Sequence, residues 1–349
     1  MDTARMDVTL VPLLGALHLR FPAYNAISVR DSAAAWNPEA LAVTPLEPDA
    51  LATLDWQDTP EIALPLAVVP WAHRRGLPLV GVHVPSPDPS ALEDFRRYLG
   101  AYPEQRHLLQ EADAALGPVR ELLAEPLDLP RVLSELLPAL RAHAELQEAR
   151  LGEGPATDWL RTRAEQMAAR ILALPQSRVA VLAAAEHIPL LEDALAERAH
   201  LTPPPLPPIS EEAARRALLD VAFRGETDEP GPLIARLRDL EDAEARYHEA
   251  NLLLAHDHAA EALELLENTV RGDFSHPYYL PGYLLARLGQ LYDLAGERER
   301  ALRSYRGTLA LDWAPAAARE AAEAGLAEPF GATQETSEDR ASPQQDQAG

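Results

Sequence analysis

Four short apolar runs in the N-terminal part of the chain constrain the fold more than any other feature of the sequence. They span residues 8–14, 40–44, 77–82 and 178–183. Runs of this length that are apolar on both faces are typical of buried parallel strands. Helical patterns lie between them, near residues 25–35, 60–75 and 91–102. This alternation predicts βαβ crossovers, and therefore an α/β domain built on a small parallel sheet.

Three prolines modify this prediction. Pro12 removes a hydrogen-bond donor from the first strand, which indicates an edge position or a bulge. Pro65 and Pro70 interrupt the second helical pattern, so we expect that helix to begin late or to kink.

The remaining segments suggest two domains and a tail. A long helical insert at about 104–174 separates the third and fourth strands, and we expect it to cap one side of the sheet in a domain spanning 1–201. A proline-rich segment at 202–209 is expected to be a stiff linker. Residues 210–330 are helical in pattern throughout. The polar segment 331–349 has too little apolar surface to order itself, and we expect a disordered tail.

The amino-acid composition limits which partners and which cellular compartment are expected. Among 349 residues, Lys and Arg number 31 against 55 Asp and Glu, which gives a formal net charge of −24. Such a surface repels phosphate backbones and anionic lipid, so neither nucleic acid nor a membrane is expected as a partner. High negative charge also serves solubility. The chain has no cysteine, which excludes disulfides and thiolate chemistry and suits a cytoplasmic protein. The apolar run at 8–17 is too short to span a membrane and reads as a strand.

The C-terminal part contains an internal repetition. Its later copy has large and small residues at the spacing of a helical hairpin, namely Leu285, Leu288, Gly289, Tyr292, Ala301, Tyr305 and Thr308. Its earlier and weaker copy has Ala250, Leu253, Ala262, Leu266 and Thr269. This pattern resembles the tetratricopeptide repeat (TPR), in which small residues let two helices touch. The resemblance implies an all-α repeat domain that binds a protein partner or self-associates. A plain array of helical hairpins is the alternative.

Histidines stand at the ends of three predicted strands. They are His18, His83 and His187, and the acidic residues Glu47, Asp88 and Glu186 lie close to the predicted strand ends in sequence. Ligands of open α/β sheets bind beyond the carboxyl ends of the strands, so we expect the imidazoles to converge there. Three neutral imidazoles suit a divalent metal such as Zn, Mn or Fe. Helix caps or hydrogen-bond partners at a wet strand end are the alternative roles.

The same residues carry a family resemblance. Gly15-Ala-Leu-His18, the spacing of Arg163 and Met167, and a strand that ends at His187 resemble the TraB/PrgY/TIKI family, which shares the EreA/ChaN-like fold. The resemblance implies a metal-dependent peptidase that uses His18 and His187 together with a glutamate. This chain departs from the family at that glutamate, where it has Thr44. Glu47 or His83 could fill the gap in the ligand set.

Three functions follow from these observations. The first is a TraB-like domain, either active or a degenerate homologue without catalysis, coupled to a TPR protein-interaction module. The second is an active metal-dependent hydrolase with His18 and His187 as catalytic residues, His83 as a third ligand, and Gly15, Glu47, Arg163 and Glu186 in support. The third, binding of heme or of a small ligand, follows from the fold resemblance alone.

Overall fold

The structure, a computed structural model, describes residues 5–53, 55–85, 114–151, 155–225 and 229–331, with separate short pieces between 94 and 111. The helix predicted at 91–102 lies mostly outside the described residues, and the tail predicted at 331–349 lies outside them beyond Gly331. The chain forms two compact units, Met1–Asp220 and Val221–Gly349. This division falls further along the chain than the linker predicted at 202–209.

The first unit contains the predicted parallel sheet. Its five strands are β1 Met6–Leu13, β2 Ala40–Val43, β3 Leu79–Gly81, β4 Arg178–Ala184 and β5 Ala199–Thr202. All pairings are parallel, and the strand order is β3-β2-β4-β1-β5. The four predicted strands are present. The fifth, β5, was not predicted, because it is four residues long and includes the exposed His200.

The strand order places a topological switch point, called the crevice below, between β2 and β4 at the carboxyl edge of the sheet. From β2 the chain proceeds outward to β3, whereas from β4 it crosses β1 to reach β5 on the opposite side. The connections that leave the neighbouring strands β2 and β4 therefore diverge. Such a topological switch point is where ligands bind in open α/β sheets.

Helices of the first unit connect and cover these strands. They are α1 Ala26–Ala35, α2 Val69–Arg75, α3 Gly117–Ala124, α4 Leu137–Leu151, α5 Pro155–Leu172, α6 Ile188–Leu195 and α7 Glu211–Arg224, the last of which contains the point of division between the units. Asn25 begins α1 as its N-cap, because its side chain accepts hydrogen bonds from the amides of Ile27 and Ser28.

The second helix begins late, as its prolines predicted. A π-helical turn at Leu64–Val68 contains Pro65, and regular α-helix starts only at Val69. Proline cannot donate the backbone hydrogen bond of a helix interior, so Pro65 and Pro70 are tolerated only in the turn and in the first turn of α2.

One face of the sheet packs against α5 and α6. Met167 and Ile171 of α5, Ile188 and Leu191 of α6, and Val181 of β4 belong to one buried cluster. The helical insert predicted between the third and fourth strands therefore supplies part of the core through α5. It also carries Arg163 along the sheet, four residues before Met167.

The first strand lies inside the sheet, but Pro12 itself has the one-sided pairing that was predicted for an edge position. β1 lies between β4 and β5. Its pairing with β4 extends from Asp7 to Leu13, but its pairing with β5 ends at Thr9. One side of the strand is therefore without a partner strand at Pro12, and the missing N–H leaves no gap in the ladder.

The proline-rich segment is attached to the first unit. The Ser32 hydroxyl donates to the carbonyl of Pro205 at 2.7 Å, and Ser210 donates to Asp31 at 2.6 Å. The amide of Asn25 donates to the carbonyl of Ala213 at 2.8 Å. These bonds fix the segment itself and the residues that follow it to the α1 region, so it does not behave as a free linker.

The second unit is helical, as predicted. Its remaining helices are α8 Pro230–Arg238, α9 Ala243–Ala255, α10 Ala259–Thr269, α11 Leu280–Leu294, α12 Arg298–Leu309 and α13 Ala316–Ala327. A Cβ atom at Gly289 of α11 would lie 2.3 Å from Cε1 of Tyr305 in α12, so only glycine permits this close approach. Ala301 is fully buried in the same hairpin. The TPR assignment of these hairpins stays a prediction.

Among the described residues, no helix combines the length and the apolar character needed to cross a membrane.

Candidate functional site

Thr44 joins two of the predicted site histidines in the crevice between β2 and β4. It directly follows β2 and is fully buried. Its hydroxyl accepts from the amide of Ala184 at 3.1 Å and lies 3.3 Å from Nδ1 of His187. Its carbonyl oxygen lies 3.1 Å from Nδ1 of His83. Thr44 is therefore the polar centre of this crevice.

Two arginines of α5 flank His83. Nη2 of Arg163 lies 3.2 Å from Nδ1 of His83, and Arg170 donates to the carbonyl of His83. Residues seven positions apart on a helix lie on the same side, two turns from each other. The helix that fills the core with Met167 thus also brings two cations to the end of β3.

Both crevice histidines are neutral at pH 7. Burial lowers the pKa of His187 to about 4, with smaller contributions from the charges of Arg163 and His83. Burial and the neighbouring Arg163 also lower the pKa of His83. Burial lowers the pKa of Arg163 itself, against the attraction of Glu186. Arginine nevertheless keeps its proton in proteins, so the crevice combines a fixed cation with two uncharged imidazoles.

His18 lies at the end of β1 in a different environment. Its ring is fully buried, Nε2 accepts from the amide of Leu14 at 3.0 Å, and Nδ1 donates to the carbonyl of Tyr24 at 2.7 Å. The ring of Tyr24 packs edge-on against it at 5.1 Å. Burial lowers the pKa of His18 to about 4. Both nitrogens of this neutral ring are therefore used to hold the backbone turn after β1.

Glu61 is a site residue that the sequence analysis did not single out. It precedes the turn at Leu64–Val68, and its Oε2 accepts at 2.8 Å from the amide of Gly15, which has a left-handed φ of 60°. Burial raises the pKa of Glu61 to about 7, assisted by the charge of Glu186 and opposed by the Gly15 bond. A single acidic residue directly before an apolar stretch was the available signal in the sequence.

The two supporting glutamates are exposed. Glu186 follows β4 and acts on Glu61 and Arg163 only through its charge. The side chain of Glu47 is also exposed, while its backbone packs on β3: a Cβ atom at Gly81 would lie 2.0 Å from the carbonyl oxygen of Glu47. Gly81 is therefore required by this close approach.

The predicted metal does not fit the residues that were expected to hold it. Coordination by either nitrogen of His18 would break a hydrogen bond to the backbone in the protein interior. Within the part of the chain that the structure describes, no three His, Asp or Glu side chains are arranged to hold a metal ion. His83 and His187 lie together around Thr44, but His18 serves the turn after β1.

Comparisons with protein-family models, with curated proteins and with solved structures find no match to this chain. The TraB-like resemblance therefore depends on the motif residues alone.

Proposed function

We propose that the first unit is a TraB-like domain that binds a small ligand without a metal, and that the helical repeats of the second unit bind a protein partner. One observation carries the proposal for the first unit. Of the two histidines that the hydrolase hypothesis requires, His18 is committed through both ring nitrogens to backbone groups, while His187 faces the crevice with Thr44.

The crevice has the character of a binding site. It lies at the switch point between β2 and β4, where this class of fold binds ligands. Residues with displaced pKa values meet there, which is typical of functional sites. His83, His187 and Arg163 are each partly exposed, so a small molecule can reach them from solvent.

A groove in the second unit supports the role in protein binding. It has a volume of about 880 Å³ and lies between the ends of α9, α11 and α13. Leu294 and Phe330, which line it, are 44% and 41% exposed. Repeat arrays present grooves of this kind to extended or helical segments of other proteins. Self-association through the same groove is the second possibility, and light scattering of the full chain beside its Leu294→Asp variant separates the two.

The metal question supplies the decisive test for the first unit. Elemental analysis of the purified full-length protein is expected to find zinc, manganese and iron far below one per chain, and calorimetric titration with Zn²⁺ or Mn²⁺ is expected to give the same weak heats for the wild type and His187→Ala. One metal ion per chain that is lost in His187→Ala would overturn the proposal and favour the metal-dependent hydrolase.

A further inference from the structure

Arg163 has an unusual position for a cation in so acidic a protein. Its guanidinium is half-buried, and its Nε is shielded from solvent without a hydrogen-bond partner among the described residues. Its one hydrogen-bond contact is with Nδ1 of the neutral His83, and it forms no salt bridge with any described carboxylate. A half-buried cation without a carboxylate in direct contact is costly, because the charge of the exposed Glu186 acts on it only from a longer distance.

Other arginines of the same unit show the usual arrangement. Arg141 contacts the carboxylates of Glu192 and Asp193 at 2.9 and 3.0 Å. Arg30, which is about as buried as Arg163, lies 2.7 Å from Glu212 and also pairs with its neighbour Asp31. Among the described residues, Arg163 has no such carboxylate partner, although the protein as a whole is strongly acidic.

The contact between Arg163 and His83 is also poorly matched. Nδ1 of His83 lies 3.1 Å from the carbonyl oxygen of Thr44, which requires a proton on that nitrogen. The same nitrogen lies 3.2 Å from Nη2 of Arg163, which requires a lone pair. A neutral ring satisfies only one of the two at a time. An acceptor from outside the protein would let Arg163 leave His83, which could then donate to Thr44.

We propose that the crevice binds an oxyanion, the carboxylate or phosphate of a small ligand, with Arg163 as the main binding side chain and His83 and His187 beside it. This inference rests on the proposed function, because it names the chemistry of the ligand for the same crevice. A planar guanidinium matches the two oxygens of either group, and hydrogen bonds between charged partners are about twice as strong as neutral ones. Arg170 adds a second positive charge near His83.

The test is calorimetric titration of the full chain with inorganic phosphate and, separately, with acetate, with chloride as the reference ion. Two variants are compared with the wild type: Arg163→Gln, and Arg161→Gln, which removes an exposed arginine of the same helix that pairs with Glu148. We expect at least one of the two oxyanions to bind the wild type and Arg161→Gln equally. Arg163→Gln should weaken that binding by about tenfold or more, the scale of one lost charged hydrogen bond. Which probe binds more tightly identifies the group.

A second measurement does not depend on the folding of a variant. In the wild type, NMR titration of the His187 ring should show its pKa rising when the bound oxyanion is added and staying unchanged with chloride, because a nearby negative charge favours the imidazolium. No binding of either oxyanion, or equal weakening in both arginine variants, would overturn this inference. Those outcomes in a metal-free protein leave the proposal of a metal-free domain standing, whereas a bound metal ion would count against that proposal alone.

Discussion

The ends of β1 and β4 carry nearly the same motif and use it in opposite ways. Gly15-Ala-Leu-His18 follows one strand and Ala184-Ala-Glu-His187 follows the other. After His18 the chain turns back through Pro22–Tyr24, so the carbonyl of Tyr24 reaches the ring. After His187 the chain enters α6 at once, so the ring stays at the helix N-terminus beside Thr44. The path of the chain after the motif, rather than the motif, decides which histidine is structural.

The largest expected difference between the two ends is in stability. His18→Ala should lower the free energy of unfolding by about 3–4 kcal/mol, because it leaves a cavity and two buried backbone groups without partners. His187→Ala should cost about 1 kcal/mol or less, because that ring is partly exposed and makes one long contact. Urea unfolding of the full chain, followed by circular dichroism, compares the two variants. Equal losses would contradict the separation of roles.

The next largest effect is on the pH dependence of stability. It arises from Glu61, which accepts a hydrogen bond from Gly15 after the end of β1. Its pKa is raised from an ordinary 4.5 to about 7 in the folded protein, so folding favours its protonated form. The stability that this provides is complete below pH 4.5 and is lost as the pH rises through 7. Across that window the loss amounts to about 3 kcal/mol.

Glu61→Gln removes this dependence while retaining an oxygen that can accept from Gly15. Relative to the wild type, the variant should therefore gain stability steadily as the pH rises from 5 to 8, as measured by urea unfolding at each pH. Asp193→Asn, which changes an exposed acid on α6, serves as the control and should show no such trend. A constant difference between Glu61→Gln and the wild type would mean that Glu61 is ionised throughout.

The sequence predicts the strands and the histidines at their ends, but not the contacts that give the two histidines different roles. Bounded apolar runs identify four of the five strands because a strand buried on both faces can hardly be built otherwise. Once these strands are identified, the histidines at their ends can be identified as well. The sequence does not show that Tyr24 closes over His18, or that Arg163 reaches His83 from a position 80 residues away, because both depend on how the helices pack. Glu61 is missed since the amide that it accepts from belongs to Gly15, 46 residues away in sequence.

A smaller effect is the loss of stability at acid pH that comes from His187 at the end of β4. The pKa of His187 is lowered from 6.5 to about 4, so the stability linked to its neutral form is present above pH 6.5 and is lost as the pH falls through 4. His187→Gln should remove about 2 kcal/mol of that acid-side loss, less than the full shift implies because the ring is partly exposed. Unfolding curves between pH 4 and 7 measure it. The variant should keep the part of the loss that comes from His18, which titrates over the same range. The wild type, in which both histidines titrate, should therefore show the larger loss. If the variant and the wild type lost stability in parallel, His187 would not be desolvated.

The smallest effect tests Thr44, the buried residue between the ends of β2 and β4. Thr44→Val keeps the shape of the side chain but removes the hydroxyl that accepts from the amide of Ala184 and contacts His187. We expect a loss of about 1 kcal/mol in the free energy of unfolding, which is the scale of one hydrogen bond. Loss of this contact should also change the tautomer balance of the His187 ring, which nitrogen chemical shifts in NMR report directly. Thr44→Ser keeps the hydroxyl and is the matched control, so its tautomer should stay as in the wild type. The opposite result would be an unchanged His187 ring in Thr44→Val and an altered ring in Arg163→Gln. The ring would then be positioned by a residue of α5 rather than by Thr44. In that case the histidines after β1 and β4 would both be held by residues outside the sheet.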